Sequence, residues 1–197
     1  MRIIHPIKLI LSEIHDMKLN NARNTERGFS LLELLLVIGV GALLLLAGLA
    51  TYRIVTQGNN ITEAQRLLNA AKIGIQTLYQ NQATYGTNAT PITDVVVNGG
   101  VFPSRYIVGG NPVDPWRNDI VVTAVNPANF TIALQNVPEA ACVALGTAFT
   151  PESDADFVEV DINGTTLDGT AGNEVDVANT QGACQDDATN SLTWNFI

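Results

Sequence analysis

Histidine is almost missing from this chain of 197 residues. There are two, His5 and His15, and from residue 16 onward there is none. That excludes histidine triads, histidine general bases and histidine metal ligands over nearly the whole chain. Basic residues are scarce as well: 10 stand against 19 acids, for a net charge of −9. Phosphate recognition needs clustered Lys and Arg, so the chain is not read as a nucleic-acid binder. The scarcity is uneven, because the last basic residue is Arg117 and 12 acids follow it. Cysteine numbers two, Cys142 and Cys184, with no C-x-x-C pair, which removes the usual redox-catalytic motif. Charged residues make up 15% and aromatics 6%, yet 46% of the chain is hydrophobic, too apolar a composition for a disordered polymer. No proline lies between Pro6 and Pro91, so no pyrrolidine ring interrupts a helix in that stretch.

Charge is missing altogether from Leu34 to Tyr52, a run of 19 residues. As a helix it would rise roughly 28 Å, close to the ~30 Å of a bilayer core. A helix buried in a globular core keeps one polar face, and this segment has none. We expect residues 34–52 to span a membrane. Lys18, Arg23 and Arg27 precede the run, and Arg53 and then a long acidic region follow it. The positive-inside bias puts the N-terminus in the cytoplasm and residues 53–197 outside. A cleaved secretory signal fits poorly, because its apolar core would be shorter and would end at a small-residue cleavage site.

The junction reads Arg27-Gly28-Phe29-Ser30-Leu31-Leu32-Glu33-Leu34-Leu35-Leu36. A carboxylate beside so long an apolar run is costly and rarely accidental. Here the chain resembles the type IV pilin family, the prepilins and their pseudopilin relatives, whose leader ends in Gly and whose mature chain carries Glu at its fifth position. Gly28, Phe29 and Glu33 match that pattern. The resemblance implies cleavage by a prepilin peptidase between Gly28 and Phe29, and N-methylation of Phe29. Glu33 has two readings. An acid in the first turn favours the helix macrodipole. Alternatively, in a fibre, Glu33 would be buried among apolar helices and need a partner, for which the resemblance suggests the Phe29 amine of a neighbouring subunit. The leader is 28 residues long from Met1, as in the type IVb subclass, or a compact basic 12 residues if Met17 is the start.

Beyond the span, Ile61, Ala64, Leu68, Ala71, Ile75 and Leu78 recur at steps of three and four, one face of a helix. We expect one long helix over 30–81, bent or loosened at Gly58; Thr62-Glu63 could instead begin a separate helix. Residues 83–104 read as a loop, and 111–119 as turn-rich. Strands are expected at 120–125 and 130–134, joined by the turn Asn126-Pro127-Ala128-Asn129. Pro138 opens a short helix, Glu139 to Gly146. Alternation predicts strands at 157–162, with Val158, Val160 and Ile162 on one face, at 174–177, and at the C-terminus through Leu192, Trp194 and Phe196.

This order makes the fold class α+β: a long N-terminal spine helix, half transmembrane, packed on an antiparallel β-sheet, with a disulfide-closed C-terminal region. The expected divisions are 1–28 leader peptide, 29–81 spine helix and 82–197 periplasmic or extracellular head. The segment Asn136 to Leu145, with a Cys on a short helix, and a second Cys near the C-terminus are similar to conjugative thin-pilus major pilins of the type IVb subclass. Two features depart from that subclass. Phe29 is more typical of type IVa pilins and pseudopilins, and Asp114-Pro115-Trp116 resembles a turn of the major pseudopilins, which usually place Gly where Arg117 stands.

Cys142 and Cys184, both outside the membrane, should pair in an oxidising periplasm. Closing a loop of that size is worth about 4 kcal/mol in the chain-entropy model. Asp154, Asp156, Glu159, Asp161, Asn163 and Asp168 invite a calcium site, but they lack EF-hand spacing and suit the solvent face of strands better. No nucleophile–base pair is present. We therefore expect no enzyme, no cofactor and no metal. The expected function is a structural subunit of a type IV pilus, lodged in the inner membrane as a precursor and then polymerised with itself into an extracellular fibre for adhesion, conjugation or aggregation. Its partners would be other copies of itself, the prepilin peptidase and the inner-membrane assembly machinery. The alternatives are a pseudopilin of type II secretion, a minor pilin, or a membrane-anchored binding module that is never cleaved at Gly28.

Overall fold

The computed structural model describes residues 30–186 and 190–197. The chain divides into two compact units, Met1–Ala47 and Gly48–Ile197. The described part of the first unit is helical from Leu31 onward.

Helix α1, Leu31–Tyr79, runs unbroken through Gly58, Asn59 and Asn60. Thr62 does not cap a new helix. Its hydroxyl donates back to the Gly58 carbonyl at 3.0 Å, a bond within one continuous helix. In the second unit, α1 buries Ala64, Leu67, Leu68, Ala71 and Ile75, one apolar stripe at helical spacing. Leu78, expected on that face, stays 37% exposed.

The stretch expected to be a loop after α1 carries more structure. Strand β1 (Thr90–Pro91) leads into helix α2 (Thr93–Asn98), which holds the valine run. Three β-branched residues argue against a helix locally. Docking decides: Val96 is fully buried, Ile92 N–H donates to the Val122 carbonyl at 2.9 Å, and Val122 N–H donates to Thr93 Oγ1 at 2.9 Å. A 3₁₀ turn follows at Ser104–Tyr106. Strands β2 (Ile107–Val108) and β3 (Asn111–Pro112) pair across Gly109-Gly110, both at positive φ.

The main sheet uses β1, β4 (Ile120–Asn126), β5 (Asn129–Val137), β6 (Phe157–Ile162), β7 (Thr165–Leu167) and β8 (Asn190–Phe196). Its order is β1-β4-β5-β8-β6-β7, antiparallel throughout. The last strand thus inserts between β5 and β6, and one row across the sheet reads Ile132, Trp194, Val160. All three are fully buried, as are Leu192 and Phe196. Each such side chain is worth about 1.5–3 kcal/mol of transfer free energy, so the C-terminal residues are central to the core. Asn163-Gly164, both at positive φ, make the tight β6–β7 turn.

Helix α3 (Glu139–Gly146) forms where Pro138 predicts it. Two other expectations are corrected. A register shift between Phe157 and Glu159 turns Phe157 inward, so Val158 lies off the buried face. The expected strand at 174–177 is absent. Instead Asp176 caps helix α4 (Val177–Ala183), its Oδ1 accepting the Asn179 N–H at 2.8 Å.

Candidate assembly surface

In the first unit, every described large apolar side chain of α1 is open to solvent. Exposures run from 48% at Val40 to 76% at Leu31, with Leu43 to Leu46 at 64–71%. The helix is long and apolar enough to cross a membrane. Within the first unit the helix carries charge only at Glu33, the acid of the first turn, exposed and without an ion pair among the described residues. An apolar surface with no polar side cannot stay in water; only lipid or other apolar helices satisfy it. Gly28 and Phe29, the expected cleavage and methylation sites, and the leader 1–28 lie outside the described residues.

The second unit is held by three sets of contacts. First, Cys142 on α3 and Cys184 just after α4 form a disulfide with Cα atoms 6.0 Å apart. The helices approach closely because Gly146 has no side chain: a Cβ there would lie 2.5 Å from Thr180 Cγ2. Second, Lys72 on α1 reaches Asp154 at 2.5 Å and Asp156 at 3.2 Å, with its ammonium 5.4 Å from the Phe196 ring centre. Gln76, one turn on, donates to Asp156 at 3.1 Å and to the Ile197 carbonyl at 2.9 Å. These bonds hold the Asp156 carboxyl below its usual range, Gln76 contributing most and Lys72 next. Third, the buried Asp114 carboxylate accepts the Trp116 N–H at 2.8 Å and the Asn118 N–H at 2.9 Å, fixing the turn before β4. Burial pushes this carboxyl up and outweighs those bonds, which pull it down.

The pattern reading of the helix face passed over Lys72, although a lone cation next to Ala71 on an otherwise apolar stripe was a visible signal. The acids considered for calcium each have another partner. Asp154 and Asp156 hold Lys72; Glu159 accepts from Asn195; Asp161 accepts the Gly164 N–H; Asn163 donates to the Ala183 carbonyl; Asp168 accepts from Thr170. Among the described residues no group of three or more His, Cys, Asp or Glu side chains is placed to hold a metal ion.

This arrangement recurs in known proteins. The family model described as PilS N terminal matches residues 57–196, and that described as the prokaryotic N-terminal methylation motif matches residues 23–49. No curated protein matches the chain. Among solved structures, the type IVb pilin from Salmonella typhi is similar at 20% identity and a TM-score of 0.51, over 71% of this chain and 98% of that one. TcpA, a type IV pilin from Vibrio cholerae El Tor biotype, is similar at 14% identity and a TM-score of 0.51, over 71% of this chain and 99% of that one. At these identities the likeness establishes a shared fold: an N-terminal helix laid on an antiparallel sheet.

Proposed function

The chain belongs to the PilS N terminal family of type IV pilins, and from that premise we propose that it is a pilus subunit cut between Gly28 and Phe29, methylated on Phe29, and polymerised through α1. Such proteins are structural subunits, not enzymes. The methylation motif and the apolar helix fit a membrane-anchored precursor. One observation carries the reading: an apolar helical segment exposed on all sides, with Glu33 its sole charge. In the precursor, lipid covers it, with residues 34–52 spanning the inner membrane and residues 82–197 outside. In the fibre, the same segments of neighbouring copies cover one another, and each Leu buried again is worth about 1.5–3 kcal/mol. Prepilin peptidase and the inner-membrane assembly machinery act between the two states.

Glu33 is the residue that sets subunit register. Its carboxylate pairs with the free amine of Phe29 on a neighbour, since a carboxylate among apolar helices needs a countercharge. Glu33→Val should leave membrane insertion intact and cut the yield of sheared fibres at least several-fold. Normal fibre yield from that variant would defeat the pairing. Absence of this chain from sheared surface fibres of the parent would defeat its role as the bulk subunit, and would favour a pseudopilin or minor pilin.

A further inference from the structure

Within the second unit lies a groove of about 340 Å³, lined by Tyr52, Arg53, Thr56 and Gln57 of α1 and by Trp116 and Pro138. Tyr52 is 69% exposed and Trp116 is only partly buried, so two amphipathic rings border the same opening. Arg53 is exposed and makes no ion pair among the described residues. The turn that carries Trp116 is fixed, because the buried Asp114 carboxylate accepts the backbone N–H groups of Trp116 and Asn118.

The height of this groove along α1 identifies what it meets. The apolar run ends at Tyr52, and Gln57 stands five residues on, about 7.5 Å further along the helix. The headgroup layer beyond a bilayer's hydrocarbon core is roughly 5–7 Å deep on each side. Tyr and Trp concentrate in that layer, and Arg pairs well with phosphate. Any bilayer around residues 34–52 lies at this level, whether or not another copy is near.

We propose that the groove seats the second unit on the membrane surface, with Tyr52 and Trp116 in the headgroup layer and Arg53 on a lipid phosphate. The inference rests on the membrane-span reading above. It adds that the folded unit, and not the helix alone, grips the lipid, so extraction into a fibre must break these contacts too.

The chain has two tryptophans, and the other, Trp194, is fully buried in the core. Quenching by lipid therefore reports on Trp116. The test reconstitutes the full chain in phosphatidylcholine–phosphatidylglycerol vesicles, with and without acyl chains brominated near the headgroup, and checks by flotation that the protein is in the vesicles. The expected result is loss of Trp116 emission with brominated lipid, abolished in Trp116→Phe, and weakened at least two-fold in Arg53→Gln. Retained blue-shifted Trp194 emission shows that each variant is folded, and Trp116→Tyr replaces Trp116→Phe if that signal is lost. Protein that floats with the vesicles but shows no bromine-dependent quenching overturns this inference and leaves the span intact. Protein that does not float overturns the span, and the inference with it. Quenching that follows the number of copies per vesicle, and not the bromine, assigns the groove to a second copy and also overturns it.

Discussion

Lys72 donates to both carboxylate oxygens of Asp154 at 2.5 Å, joining residues 82 positions apart. The two side chains are 8% and 15% exposed. A lysine inside an apolar helix face is costly unless it is paired. Here Asp154, Asp156 and the face of Phe196 share the ammonium. The pair pins the loop before β6 to the helix, and Gln76 adds the C-terminal Ile197 to the same anchor.

Removing one partner leaves the other buried without a countercharge. Lys72→Ala should therefore lower stability by about 3 kcal/mol, at the low end of losses for broken buried pairs because Asp156 is half exposed. Lys72→Met with Asp154→Leu should recover much of that loss, since apolar replacement removes both desolvation costs. Urea unfolding of the detergent-solubilised chain, followed by Trp194 emission, measures both. Equal stability of the single variant and the parent would show that the pair is solvated.

The Cys142–Cys184 bridge spans 42 positions and ties α3 to the end of α4. Reduction, or Cys142→Ala with Cys184→Ala, should cost about 4 kcal/mol through the larger entropy of the unfolded chain. Gly146 and Thr180 keep the helices in contact, so the native fold should survive reduction in the absence of urea. The measurement is the shift in urea midpoint on adding reductant. An unchanged midpoint would show that the unfolded chain is already constrained there.

Acid should weaken the same anchor. Gln76 and Lys72 depress the folded value of the Asp156 carboxyl, so its contribution is full above the ordinary carboxylate range and is lost as pH falls through the depressed folded value. Asp114 acts in the opposite sense: burial raises its folded value, and acid favours its folded form. Asp156→Asn should therefore flatten the loss of thermal midpoint on acidification below about pH 4. A profile as steep as that of the parent would assign the acid limb to other carboxylates.

Much of the fold could be read where local and tertiary preferences agree. Leu192, Trp194 and Phe196 alternate and are buried to the last, and α3 begins after Pro138 as predicted. Reading failed where docking overrode local preference. Residues 83–104 read as a loop, yet α2 forms within them because Val96 fills the core beside β4. Glu174 to Val177 alternate like a strand, yet Asp176 caps a helix whose end meets the disulfide. Position in the sheet was not legible at all: nothing local places β8 between β5 and β6. Of the assembly surface, the apolar run and Glu33 were plain in the sequence. The partners of Lys72 and the groove at Trp116 were not, because each depends on residues far away along the chain.

The central claim is that this chain is cut and assembled through the helix that follows Gly28. The mass of the N-terminal peptide from membrane or fibre fractions tests it most directly. The account predicts a peptide that begins at Phe29 and carries one added methyl group. A peptide that begins at Met1 or Met17 would contradict it.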